Sequence, residues 1–238
     1  MSNTKILRGP PGNRLLAALP RSEYQRLRPK LEIVDLVFGN ILYNAGDNIT
    51  HVHFPNDSIV SLLSVVAERS TLEVGIVGNE GMAGLSVFMG VDVSRNRALV
   101  QGAGTAMRMK ADAFRGESNQ LGALHRLLHR YSHSLLTQIS QSAACNRFHT
   151  VDTRLARWML MTHDRMGTDK FQLTQDFMAN MLGVRREGVS KAAGALQKKK
   201  LIHYTRGMIT VLNREGLEKA ACPCYQIIKD ESESFLGA

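Results

Sequence analysis

The length, composition and charge of this chain exclude several classes of protein. It has 238 residues, of which 44% are hydrophobic and 21% are charged, enough for one large domain or, closer to ordinary domain sizes, two smaller ones. This composition excludes a disordered or fibrous protein, and no stretch approaches the roughly 20 unbroken apolar residues of a membrane-spanning helix. The opening residues lack an apolar segment behind their basic side chains. We therefore expect no secretion signal, no membrane partner and a cytoplasmic protein.

The N-terminal part, residues 1–120, has the pattern of a strand-and-turn domain. A short helix is predicted over Arg14–Leu27. Apolar runs broken by Gly, Asn, Asp or Pro then predict strands at 36–38, 41–43, 52–54, 59–66, 72–77 and 98–100. Their regular spacing favours a β-roll, barrel or sandwich.

Three glycines, Gly78, Gly81 and Gly84, follow the fifth of these runs at regular spacing. They match neither the dinucleotide-binding nor the Walker A pattern, and we interpret them as turn residues. Arg95 and Arg97 could hold an anionic ligand against a short helix that begins near Gly81.

No complete metal site is predicted. His51 and His53 share one face of a predicted strand, but two ligands are fewer than a structural zinc needs. Cys222 and Cys224 are separated by one residue, which makes a poor disulfide and only half a metal site, and Cys145 is distant in sequence. Whether the histidine pair or the cysteine pair has a metal or redox role stays open.

Residues 121–146 predict one long central helix. Six of its residues follow one another in steps of 3, 4, 3, 4 and 7 positions, namely Leu121, Leu124, Leu128, Tyr131, Leu135 and Ser142. This is the a/d pattern of a two-stranded coiled coil, so we expect these six residues to form a homodimer interface. The alternative is an internal core helix of a monomer.

Residues 147–229 carry most of the positive charge, with 15 basic and 7 acidic side chains in a protein of net charge +9. Such an excess is typical of a nucleic-acid-binding domain, although a solvated basic face would give the same count. Residues 230–238 contain three acids and no base, and we expect a solvated terminus there.

The basic region, taken as a domain over residues 147–238, predicts a winged helix-turn-helix. A helix over 151–163 is followed by residues 173–196, where Thr174 can cap a first helix and Gly183 permits the turn to a second. Residues 201–212 then alternate as two strands around Arg206 and Gly207, which predicts the wing.

The second helix has an exposed face that can contact base pairs. Arg can donate two hydrogen bonds to guanine, and Glu can accept one from cytosine, while the start of the first helix can contact phosphate. The expected DNA-binding residues are Thr174, Gln175, Arg185, Arg186, Glu187, Ser190, Lys191 and Arg206. A winged helix that contacts protein instead of DNA is the alternative.

The chain resembles bacterial Crp/Fnr-family transcription regulators over nearly its whole length. Residues 186–191 (REGVSK) resemble the family's R-E-T-V/I-x-R recognition-helix pattern, and residues 52–55 (VHFP) and 73–82 (EVGIVGNEGM) resemble a subgroup's sensor domain. The resemblance implies an α+β fold with a cyclic-nucleotide-binding-like β-roll (jelly roll), a long dimerisation helix and a C-terminal winged helix. It also implies a homodimer that binds palindromic double-stranded DNA and contacts RNA polymerase.

Several residues depart from the family pattern. Lys191 replaces an arginine, Arg185 replaces a capping serine, and Gly188 replaces a threonine-like residue. Members that bind cyclic AMP have a Gly-Glu-Leu turn followed by Arg-Ser/Thr-Ala. Here the first reads Gly84, Leu85, Ser86, and only Arg97 and Ala98 remain of the second.

These four positions, Gly84, Leu85, Arg97 and Ala98, are the candidate effector pocket. Cyclic AMP is disfavoured, because the carboxylate that would hold the ribose is missing. Family members that bind an iron–sulfur cluster have a set of cysteines near the N-terminus. Here all three cysteines lie at position 145 or later, so this set is absent. The effector therefore stays unknown. A ligand sensor that acts through protein contacts is the alternative function, and the sequence contains no motif of an enzyme.

Overall fold

The computed structural model describes residues 12–67 and 70–237. It begins with two short helices, α1 (Arg14–Ala17) and α2 (Arg21–Leu27). The sequence predicted a single helix here, but Pro20 divides it, because proline lacks the N–H that a helix interior requires and lies at the N-cap of α2. The opening residues, on which the predicted lack of a secretion signal rests, lie outside the described residues.

Seven strands form the predicted β-roll. They are β1 (Glu32–Leu36), β2 (Ile41–Tyr43), β3 (His51–Pro55), β4 (Ile59–Ala67), β5 (Ser70–Val77), β6 (Arg97–Gly102) and β7 (Gly104–Lys110). They pair antiparallel in two sheets, with the orders β1-β7-β3 and β2-β6-β4-β5. The predicted run 36–38 only overlaps the end of β1, because a turn with Gly39 at φ +83° follows it, and β7 was not predicted.

The glycines after β5 allow close packing and a turn. A Cβ on Gly81 would lie 2.3 Å from the ring of Tyr131, and Gly84 has φ +93°, a conformation that glycine adopts without strain. The first helical residues after Gly81 are a 3-10 turn at Leu85–Val87. The helix expected to begin near Gly81 is therefore a tight turn instead.

Two helices follow the roll, α3 (Ala111–Ser118) and the long α4 (Ala123–Phe148). With 26 residues, α4 is about 39 Å long at 1.5 Å per residue. The carboxylate of Glu23 caps its start by accepting hydrogen bonds from the backbone N–H groups of Ala123 (2.7 Å) and Leu124 (3.0 Å).

The predicted coiled-coil stripe of α4 packs inside the chain. Leu124, Leu128, Tyr131, Leu135 and Ser142 are all at most 8% exposed, whereas Leu121 is 81% exposed. A heptad pattern cannot distinguish a seam against a second copy from a seam against the chain's own sheet. The stripe that remains exposed consists of Arg126, His129, His133, Leu136, Ser140, Ala143 and Arg147.

The C-terminal region contains the predicted helix-turn-helix and wing. Its elements are α5 (Val151–Met166), β8 (Lys170–Gln172), α6 (Gln175–Leu182), α7 (Arg186–Lys198), β9 (Ile202–Thr205) and β10 (Met208–Val211). The three strands form one sheet with the order β8-β10-β9. Met178, Val189 and Leu196 join Trp158 of α5 in one core.

The chain ends in α8 (Arg214–Ala220) and α9 (Cys224–Gly237), and α9 lies antiparallel along α4. Glu231 Oε1 is 3.0 Å from His133 Nδ1, the rings of Phe235 and Tyr131 are 5.8 Å apart, and Arg130 donates to the carbonyl of Phe235. The expectation of a solvated acidic terminus is therefore wrong. Phe235, only 4% exposed, supplies the apolar contact that holds this segment in place.

Side chains of α5 connect the C-terminal region to the β-roll. Trp158 Nε1 donates to Glu73 Oε1 at 2.7 Å, and Arg165 forms an ion pair with Glu80 at 2.8 Å. Ile59 and Ile76 of the roll belong to the same apolar cluster as Trp158. Over residues 12–67 and 70–237, no helix is both long and apolar enough to cross a bilayer.

Candidate nucleic-acid interface

The first helix of the motif, α6, begins and ends as predicted. Thr174 is its N-cap, and the Thr174 hydroxyl accepts a hydrogen bond from the backbone N–H of Phe177 at 3.1 Å. Gly183 ends it at φ +61°, which glycine adopts without the strain that a Cβ would add. Met178 and Met181 are buried, and Phe177 packs on Phe38 of the roll with ring centroids 5.3 Å apart.

The second helix, α7, separates its buried residues from its polar ones. Val189, Ala192, Ala193 and Leu196 are buried at helical spacing, which leaves the opposite face of the first two turns to solvent. Exposed residues on that face are Arg186, Glu187, Ser190 and Lys191. Arg185 is the N-cap, and its side chain makes no capping hydrogen bond, as its replacement of serine predicts.

Five of the predicted DNA-binding residues share one surface. Gln175, Arg186, Glu187, Ser190 and Lys191 line an open depression of about 520 Å³. Gln175 Nε2 donates to Ser190 Oγ, and Arg186 Nε donates to Gln175 Oε1, both at 3.3 Å. These hydrogen bonds join the start of α6 to the exposed face of α7. The other three predicted residues, Thr174, Arg185 and Arg206, are exposed.

Arg206 lies at the tip of the wing. It and Gly207 have φ values of +48° and +78°, the left-handed pair that a two-residue hairpin turn between twisted strands requires. The carbonyl of Gly207 accepts a hydrogen bond from the backbone N–H of Leu173 at 2.7 Å. The wing tip is thus attached just before α6, and the Arg206 side chain extends into solvent.

Two residues at this surface were not predicted. Asp176 Oδ1 lies 3.6 Å from Arg186 Nε. Tyr204 of β9 lies beside Gln175 and Arg186, and partial burial raises the pKa of its phenol. Asp176 and Arg186 are ten residues apart, a separation that matches no helical or strand repeat. The alternating pattern around Tyr204 predicts a strand but not a contact with α6 or α7. No local sequence signal therefore identifies either residue.

A second cavity, of about 300 Å³, lies between the β-roll and α4. Of the four residues of the candidate effector pocket, Gly84 and Leu85 line it, whereas Arg97 and Ala98 do not. Arg97 donates to Asn44 Oδ1 at 2.9 Å, and Ala98 is fully buried. Arg95 is the cavity's charged lining residue, and most of the rest are apolar, including Met89, Val91, Val93, Leu136 and Ile139.

The two histidines of β3 differ in their surroundings. His53 is 6% exposed, and burial lowers the pKa of its imidazole to about 4, so the ring is neutral near pH 7. His51 is partly exposed, and its Nδ1 lies 3.0 Å from the Thr50 hydroxyl. In the described ranges, neither belongs to a group of three or more potential metal ligands.

Comparison with known proteins identifies a known domain in the C-terminal region. Residues 153–220 match the Crp-like helix-turn-helix domain. A search of curated proteins finds no significant match.

The whole fold is similar to solved regulators at low sequence identity. FixK2 from Bradyrhizobium japonicum has a TM-score of 0.68 and 14% identity, covering 81% of this chain and 98% of that chain. A transcriptional regulator of the CRP family from Thermus thermophilus has a TM-score of 0.65 and 17% identity, covering 79% and 96%. For the c-di-GMP responsive global regulator CLP from Xanthomonas campestris the TM-score is 0.62 and the identity 13%, covering 81% and 99%. The predicted family resemblance is therefore confirmed, because the chain joins a Crp-like helix-turn-helix domain to the fold of the Crp/Fnr-family transcription regulators.

Proposed function

We propose that this Crp/Fnr-type protein is a homodimeric, sequence-specific DNA-binding transcription regulator of the cytoplasm. Its α7 enters the major groove of each half of a palindromic site. The observation that carries this proposal is the single exposed surface shared by Gln175, Arg186, Glu187, Ser190 and Lys191. As the family resemblance implies, the bound dimer then contacts RNA polymerase.

The residues of this surface divide into those that contact bases and those that position the protein. Arg186 can donate to guanine and Glu187 can accept from cytosine, so both discriminate between sequences. Thr174 and Arg206 lie at the edges and contact phosphate, which every duplex offers. Asp176 and Gln175 keep the Arg186 guanidinium oriented in the absence of DNA.

Selection of bound duplexes from a random library, at about 0.15 M salt, tests this proposal. The expected product is a two-fold symmetric consensus. The Glu187→Ala variant should lose about tenfold in affinity for that consensus and leave binding to random DNA unchanged. The control Glu215→Ala, at an exposed position of α8, should change neither.

Thr174→Val should weaken every duplex alike, and Thr174→Ser should restore binding because it keeps the hydroxyl. Equal losses on cognate and random DNA for Glu187→Ala would contradict the assignment of base contacts. Selection without any consensus would favour the alternative of a sensor that acts through protein contacts.

The exposed stripe of α4 is the proposed dimer surface. Leu136, 62% exposed, lies on it next to Met89 and Val91, which are 58% and 49% exposed. Apolar side chains grouped in this way are typical of a surface that a partner covers. Leu136→Arg should convert the dimer to a monomer in sedimentation analysis, whereas Leu212→Arg, at an equally exposed leucine of the wing region, should leave it dimeric.

A small molecule in the cavity of the β-roll is the proposed modulator. The apolar lining and the single charge of Arg95 suit an apolar molecule with one anionic group better than a cyclic nucleotide. A medium-chain carboxylate should raise the melting temperature of the wild type and not of an Arg95→Gln variant, while cyclic AMP should raise neither. The reverse pattern would refute this choice of ligand.

A further inference from the structure

Four potential metal ligands meet where α4 and α9 come together. Cys145 lies in the last turn of α4, and His149 is the C-cap residue of the same helix. Cys222 and Cys224 flank Pro223 at the start of α9. The three sulfur atoms and a ring nitrogen of His149 all lie within 4.8 Å of one another, and the cysteines are free and buried.

The spacing of these atoms fits a tetrahedral zinc site. Cys145 Sγ is 3.4 Å from Cys222 Sγ, and Cys224 Sγ is 3.6 Å from His149 Nδ1. In a tetrahedron with Zn–S bonds of about 2.3 Å the sulfur atoms are about 3.8 Å apart. A zinc ion therefore needs only small movements of side chains. Three thiolates and one imidazole are a recurrent ligand set of structural zinc.

Two buried arginines lie beside the cluster, and the acidic group nearest to them in effect is Glu73, which interacts electrostatically with Arg157. Arg154 and Arg157 are 6% and 5% exposed, and neither forms an ion pair with an acidic side chain in the described part of the chain. The Nε atoms of both have no hydrogen-bond partner. Arg157 interacts electrostatically with all three cysteines, and Arg154 with Cys145 and Cys222.

This positive charge matches the charge of a metal-bound cluster. Buried charges are normally balanced, because an uncompensated ion in the interior is costly. Three thiols supply no charge, whereas three thiolates, a neutral imidazole and Zn²⁺ carry a net charge of −1. The metal-bound form thus offsets part of the charge of the two guanidinium groups.

We propose that these four side chains bind one zinc ion, which ties the start of α9 to the end of α4. Binding releases the thiol protons to solvent and leaves no open coordination position, so the ion is structural. His149 and Thr150 are also the link between α4 and α5. The zinc ion therefore fixes the joint between the long helix and the DNA-binding region.

The wild-type protein, purified anaerobically with a reductant, gives the primary test. Elemental analysis should find about one zinc per chain, and removal by a strong chelator should lower the melting temperature until one equivalent of zinc is returned. Cobalt titrated into the metal-free protein should show thiolate charge-transfer bands and the intense d–d bands of tetrahedral coordination.

Variants assign the ligands. Cys222→Ser and Cys224→Ser should lose stoichiometric zinc, and His149→Gln should bind it at least tenfold more weakly, whereas His203→Gln, at an exposed histidine of the wing, should bind as the wild type does.

If the metal-free wild-type protein binds no zinc when zinc is added back, the proposal is wrong, whatever the variants show. Iron in place of zinc, or a disulfide between Cys145 and Cys222 in the freshly isolated protein, would overturn it as well.

Discussion

Glu73 should make the stability of this protein depend on pH. Its Oε1 accepts a hydrogen bond from Trp158 Nε1, while Oε2 is buried with no partner. Burial raises the pKa of this carboxyl group from its usual 4.5 to about 7. The residue as a whole is partly exposed, but its carboxylate is buried against α5. This burial disfavours the charged form, and it outweighs the hydrogen bond from Trp158 and the charges of Arg157 and Arg165, which favour it.

The sign and size of the effect follow from the two pKa values. Below pH 4.5 the group is protonated in the folded and the unfolded chain, and its folded-state interactions are fully present. Between pH 4.5 and pH 7 the unfolded chain loses the proton first, so stability falls as pH rises. A shift from 4.5 to about 7 corresponds to at most about 3 kcal/mol, which is fully lost above pH 7.

Urea unfolding of the wild type and of Glu73→Gln at pH 5 and pH 8 measures this loss. The amide carbonyl can still accept from Trp158, and the amide does not ionise. The stability of Glu73→Gln relative to the wild type should therefore rise by about 2 to 3 kcal/mol between the two pH values. Glu215→Gln, on the surface of α8, should show no such change. A difference between Glu73→Gln and the wild type that is the same at both pH values would refute the reasoning.

Four further substitutions test the packing by urea unfolding. Gly183→Ala should destabilise the protein by about 1 to 2 kcal/mol, because φ is +61° at this residue. Gly188→Ala should stabilise it by about 1 kcal/mol, because this glycine lies in a helix with open space around it. Equal effects of the two substitutions would contradict the turn geometry at Gly183. Phe235→Ala should cost about 3 to 5 kcal/mol, and a loss below 1 kcal/mol would show that α9 does not pack on α4. Arg165→Met should cost about 3 to 5 kcal/mol, since it leaves the buried carboxylate of Glu80 unpaired, and a neutral result would refute that pairing.

The local features of the helix-turn-helix could be predicted from sequence because each depends on neighbouring residues. Thr174 as a cap and Gly183 as a turn need only a few positions on either side to be recognised. The buried face of α7 follows from apolar residues three and four positions apart. Because a short turn joins the two helices, the start of α6 and the exposed face of α7 must lie close together. The surface that Gln175 shares with Arg186 is a consequence of this.

The features that the sequence did not predict depend on contacts between distant residues. The heptad stripe of α4 was predicted to be a dimer interface, with an internal core helix as the alternative. Sequence alone could not show that the chain itself buries five of its six residues. Cys145 and His149 lie more than 70 residues before Cys222, so the cysteines could be read only as half a site. Arg97 matched a family position by sequence, but its hydrogen bond to Asn44 directs it away from the cavity that Arg95 lines.

The meeting of Cys145 with Cys222 also means that the winged-helix region leaves and rejoins the long helix at one place. The segment from α5 to α8 therefore begins and ends at neighbouring points in space. The winged helix of a relative could replace residues 150–221 if its own two ends lie equally close together. Inserted domains are generally tolerated for this reason. The exchanged segment would also have to supply partners for Glu73 and Glu80 of the β-roll, which Trp158 and Arg165 of α5 contact.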